Sequence, residues 1–167
     1  MLDICLLGTG GMMPMPSRFL TAMLARLNGR LALIDCGEGT QVTMKMLGWG
    51  FKAIDVICFT HFHADHISGL PGLLLTIGNA GRTEPLMLIG PVGLQRIVEG
   101  LTLIAPELPF PIEYIELTQD APNPIRVGAF EIHHCPADHM VKCFAYRIDL
   151  KRKGKFDVKK AEQLKLP

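Results

Sequence analysis

The chain has 167 residues, of which 49% are hydrophobic and 20% charged, with a net charge of +1; that suffices for one domain with its own core. No apolar run approaches the roughly 20 residues a spanning helix needs, and the opening "MLDICLLGTGG" places no charged segment ahead of a cleavable apolar one. A membrane role is therefore not expected, and a soluble, cytoplasmic chain is.

In chain order, short runs rich in Val, Ile and Leu predict strands at about 2 to 7, 19 to 27, 30 to 35, 54 to 60, 86 to 89, 112 to 117, 129 to 135 and 143 to 149. Helices fit about 38 to 48, 68 to 79 and 91 to 103. Asn28-Gly29 between two strands signals a two-residue hairpin turn of type I′. The pattern is α/β with antiparallel hairpins, and not a series of identical βαβ units. There is no internal repeat and no obvious interdomain linker.

Five cysteines form no C-x-x-C pair, and four of them sit in apolar strand-like runs. They are expected as free thiols in a reducing compartment. A metal-binding or nucleophilic role has its best case at Cys135, near His133, His134 and His139, and the free-thiol reading is preferred there too. The glycines of "GTGGMM" follow a strand, but Met13 stands at the third glycine position of a dinucleotide fingerprint, and Pro14 and Pro16 replace a helix. A turn that lets backbone pass close to a site is the preferred reading.

Three of the six histidines fall in "DVICFTHFHADH", residues 55–66. In an extended segment His61 and His63 project to the same side, so two imidazoles can share one ion. Asp65 and His66 come after the turn and can face a second position. Imidazoles and a carboxylate suit Zn²⁺ or a similar borderline divalent ion, and four such groups crowded at a strand end repel or protonate one another unless an ion organises them.

This H-x-H-x-D-H motif resembles that of the metallo-β-lactamase fold hydrolases, and the wider agreement is with the ribonuclease Z family. "LLGTGG", "LIDCGEGTQ", "FTHFHADHISGLPGLL", Gly81-Arg82, "LIGPVGL" and "CFAYRI" occur in that family's order. The resemblance implies that His61 and His63 bind a first zinc, that Asp65 and His66 bind a second, and that Asp65 accepts a proton. It places His139 as the ligand that completes the first site. His133 and His134 match no ligand position and are expected to have structural or supporting roles.

A full member of the family continues through an aspartate bridging both metals, a last histidine ligand and a further histidine that assists the leaving group; none can be assigned here. The resemblance therefore implies a metallo-β-lactamase-like αβ/βα sandwich represented mainly by its N-terminal half, one mixed sheet with helices on its outer face. Residues 1–150 would form this half and 151–167 a basic tail leading toward a tRNA-gripping arm. An apolar sheet face would then be open to solvent, so a truncated form is expected, or a cover formed by a second copy (a homodimer) or by a complementary C-terminal half.

Residues 149–167 carry seven Lys or Arg against three acids. With the resemblance, Lys151, Arg152, Lys153 and Lys155 become candidate phosphate contacts. The implied function is a zinc-dependent endoribonuclease that removes the 3′ trailer of precursor tRNA, with Mn²⁺ or Fe²⁺ as alternative metals. The alternatives are another phosphodiesterase or thioesterase of the same superfamily, or a non-catalytic piece that needs a partner chain.

Overall fold

A computed structural model describes residues 2–13, 15–105, 107–150 and 158–165. Six strands form one mixed sheet in sequence order: β1 (Leu2–Gly8), β2 (Ala22–Leu27), β3 (Arg30–Ile34), β4 (Ile54–Cys58), β5 (Leu86–Pro91) and β6 (Ile112–Leu117). The first three pair antiparallel, and β3 to β6 run parallel. The β2–β3 hairpin turns at Asn28 and Gly29, with φ of 51° and 79°, so both turn residues have the positive φ of a type I′ turn.

Side chains alternate between two cores, as a strand period of two requires, except between Ile54 and Val56, where the β3–β4 register shifts by one residue. Leu31, Leu33, Ile54, Ile57, Leu86 and Leu88 face the helices α1 (Thr40–Leu47), α3 (Leu70–Asn79) and α4 (Leu94–Thr102), which contribute Met44, Leu73, Leu74, Ile77 and Val98. Ala32, Val56, Cys58 and Ile89 point the other way. The expected 38–48 helix is α1, begun after Gly39 and ended by Gly48, both at positive φ. The expected 68–79 helix is α3; the short α2 (Ala64–Ile67) ahead of it falls where a loop was expected, and at Gly69 between the two a Cβ would come 2.1 Å from the carbonyl oxygen of Gly37.

The strands expected at 129–135 and 143–149 do not join this sheet. With a short strand absent from the sequence reading, they form an antiparallel trio, β7 (Ile125–Val127), β8 (Phe130–Ala137) and β9 (Cys143–Asp149). Phe130 and Ile132 are buried against the second face of the large sheet, with Phe144, Tyr146 and Ile148 beside them. This small sheet covers that face only in part. Ile4 and Leu6 on β1 remain 59% and 65% exposed, and an apolar groove of about 220 Å³ runs between β1, β2 and β9, lined by Leu2, Ile4, Met23, Ile34 and Ile148. A last helix, α5 (Val158–Gln163), was not anticipated. The Gly81-Arg82 motif serves the fold: the Arg82 guanidinium, 1% exposed, donates to the carbonyls of Lys52, Ile54, Glu84 and Pro85.

Candidate metal centre

The histidines cluster at the carboxyl ends of β3 and β4, where open parallel sheets bind ligands. Asp35 follows β3 at a φ of 58°, is 3% exposed, and bonds its own N–H to the Cys58 carbonyl. Its carboxylate accepts the Thr60 N–H and the Thr60 hydroxyl, each at 2.8 Å, and lies 2.7 Å from Nδ1 of His66. The hydroxyl proton of Thr60 is thus committed to Asp35, and Nδ1 of His61, 2.9 Å from that hydroxyl, is left to donate to it. Both rings then carry a proton on Nδ1 and present Nε2 outward, the ligand form that a hydrogen bond on the far nitrogen enforces.

His63 sits in extended conformation at the N-cap of α2, and Asp65 and His66 lie within that helix. His61 and His63 converge as their spacing predicts, with Nε2 of His61 3.1 Å from Nδ1 of His63. His139 arrives from the turn between β8 and β9 and places its Nε2 3.4 Å from the same His63 nitrogen. One nitrogen from each of His61, His63 and His139 lies within 4.8 Å of the others, an arrangement able to hold a metal ion. Asp65 and His66 stand beside this trio: Nε2 of His66 is 3.7 Å from Oδ2 of Asp65, and its ring centroid 4.1 Å from that of His61.

The electrostatics fit a bound cation. Burial of His61, reinforced by His66, His63 and His139, lowers its pKa, so the ring is neutral and free to ligate. Burial works against a charged His66, but the hydrogen bond to Asp35 and the charges of Asp35 and Asp65 outweigh it and raise its pKa. Three imidazoles around one point match the donor number of a zinc with an open position.

The remaining candidates lie elsewhere. Cys135 is exposed and outside the three-histidine group. His133 faces Asp149, 3.2 Å away, and His134 lies 3.2 Å from the Pro122 carbonyl oxygen. Lys151, Arg152, Lys153 and Lys155 lie outside the described residues. The glycine turn after β1 does pass close by: a Cβ on Gly11 would meet Oδ2 of Asp65 at 3.8 Å, and one on Gly8 would strike the Leu20 carbonyl oxygen at 1.7 Å.

Residues 2–98 match the family model described as Anti-Pycsar protein Apyc1. The chain belongs to that family. It is also 58% identical over all of its 167 residues to the protein named ribonuclease Z of Clostridium kluyveri. It spans about half the length of the curated relatives it matches, 55% of that one. The crystal structure of human tRNase Z, short form, superimposes with a TM-score of 0.77 at 30% identity, over 90% of this chain and 65% of the human one. The metallo-β-lactamase fold protein YhfI of Bacillus subtilis, at 19% identity, has a TM-score of 0.72 over 89% of this chain and 57% of its own. The relatives thus bear the family name to which the motifs pointed, and the chain has the metallo-β-lactamase fold.

Proposed function

We propose that this chain supplies the metal-binding half of an endoribonuclease that removes the 3′ trailer from precursor tRNA in the cytoplasm. The observation that carries the reading is the convergence of His61, His63 and His139 in a chain that aligns end to end with proteins named ribonuclease Z. His61, His63 and His139 hold the first metal, and Asp65 and His66 contribute to a second. Zinc is the preferred ion, with Mn²⁺ or Fe²⁺ accepted by the same donors. Once held, such ions lower the pKa of water toward about 7 and stabilise the oxygens of an in-line displacement at phosphorus.

The chain's own groups do the rest. Asp65, beside the glycine turn, accepts the proton of the attacking water. Asp35 fixes the His66 ring directly and the His61 ring through Thr60, so that ligand nitrogens need no reorientation as charge develops. Lys151, Arg152, Lys153 and Lys155 contact phosphates away from the cleavage point and give salt-dependent affinity, while RNA shape selects the substrate. A complementary C-terminal half, or a second copy in a homodimer, covers the groove along β1 and β2.

Precursor tRNA carrying a 3′ trailer should be incubated with the metal-loaded chain, alone and supplemented with the C-terminal portion of the Clostridium kluyveri relative. Metal-dependent release of the intact trailer in either mixture supports the reading. Efficient hydrolysis of a small phosphodiester or thioester with tRNA left untouched would assign the site to another activity of the fold.

A further inference from the structure

The hairpin that carries His139 belongs to the small sheet, whereas His61 and His63 follow the large one. Something must hold the two in register. The last β8–β9 pair is Ala137 with Cys143, so residues 138–142 form the turn on which His139 rides. Two hydrogen bonds tie β9 to the two residues just ahead of His61. The Phe144 N–H donates to the Thr60 carbonyl at 2.9 Å, and the Tyr146 hydroxyl donates to the Phe59 carbonyl at 2.8 Å. Phe59 is itself anchored from the other side, its N–H bonded to the Ile89 carbonyl at 2.7 Å. The Tyr146 ring lines the groove between β1, β2 and β9 and packs in the core between the sheets, and the histidine it pairs with across the hairpin is His134, which is not one of the three converging histidines.

We infer that Tyr146 is a positioning residue of the metal centre: its hydroxyl docks β9 on the segment leading into His61 and so fixes where the hairpin delivers His139. The inference rests on the reading of His61, His63 and His139 as metal ligands. Pairing with β8 and apolar packing hold β9 against the large sheet without fixing its position along that sheet, and the Phe144 bond fixes it at one point only. The second contact, two residues further along the strand, removes that freedom at the end of a side chain whose ring is already packed. A slip of less than an ångström at β9 is felt at His139, because ligand nitrogens must meet a metal within about 0.2 Å of their preferred distance.

Tyr146→Phe in the 167-residue chain removes only the donor and keeps the ring. Zinc affinity by chelator competition, the visible spectrum of the Co²⁺ form and the urea midpoint of the metal-free protein are the readouts. Ile132→Val, in the same inter-sheet core but without a polar link to the site, is the comparison. The expected result is a loss of zinc affinity of about tenfold or more with an altered Co²⁺ spectrum in Tyr146→Phe, and neither change in Ile132→Val. A Tyr146→Phe protein that loses stability yet binds zinc as wild type does, or an equal loss in Ile132→Val, overturns the positioning role while leaving the metal site standing. Wild-type protein that binds no zinc overturns both.

Discussion

Oδ2 of Asp35 lies 2.7 Å from Nδ1 of His66, a contact between residues 31 positions apart that joins the end of β3 to helix α2. Through the Thr60 hydroxyl the same carboxylate reaches Nδ1 of His61. One buried acid thus sets the ring state of two histidines with different assigned metals. In Asp35→Asn the shape is kept, but one of the donors now facing carboxylate oxygen meets an amide N–H₂ instead. Zinc affinity should fall by about 10- to 100-fold, the usual cost of an outer-shell partner. Competition titration measures it, and an affinity within twofold of wild type would show that Asp35 serves the fold alone.

Arg82 gives a stability prediction separate from the site. Replacing it by Met keeps much of the stem but leaves the carbonyls of Lys52, Ile54, Glu84 and Pro85 without their donor. With about 1 to 3 kcal/mol for each buried group left unsatisfied, the loss should be about 3 kcal/mol or more. Urea unfolding measures it. A change below about 1 kcal/mol would mean that water replaces the guanidinium.

Stability should also decline on the alkaline side. Burial pushes the Cys36 thiol up to about 12 from an ordinary value near 9, and burial likewise raises Cys58 and the Tyr146 phenol. These groups lose protons in the unfolded chain before the folded one, so the unfolded state holds fewer protons and unfolding becomes easier as pH rises. The loss is absent below the unfolded thiol value and grows above it. Urea midpoints at pH 7.5 and 10 should differ in that direction, and thiol reagents at pH 8 should modify exposed Cys135 well ahead of Cys36 and Cys58. A midpoint that holds steady, or early labelling of Cys36, would contradict this.

The turn of candidate ligands was legible in the sequence because it is local: His61, His63, Asp65 and His66 fall within six positions, and strand periodicity alone brings the first two together. His139 was legible only through the family resemblance, since it comes from another sheet and a separation of 76 residues from His63. Asp35 and Thr60 lie within recognisable motifs, but their task is not legible there, because an acid at a strand end reveals its partners only when the neighbouring strand is in place. Periodicity likewise finds the strands at 129–135 and 143–149 without saying which sheet they join. The short β7 escaped because its three residues include exposed Arg126 and follow a proline. The second sheet in turn covers part of a face that the sequence reading left open.

Metal content of the purified chain and of His139→Ala, by elemental analysis and by the visible spectrum of the Co²⁺ forms, bears on the three-histidine site without any substrate. The wild-type chain should hold an ion tightly, with a spectrum of nitrogen coordination, and lose it when His139 is removed although the protein remains folded. A wild-type chain that holds no metal, or a His139→Ala protein that holds it as tightly, would contradict the claim that these three histidines form one metal site.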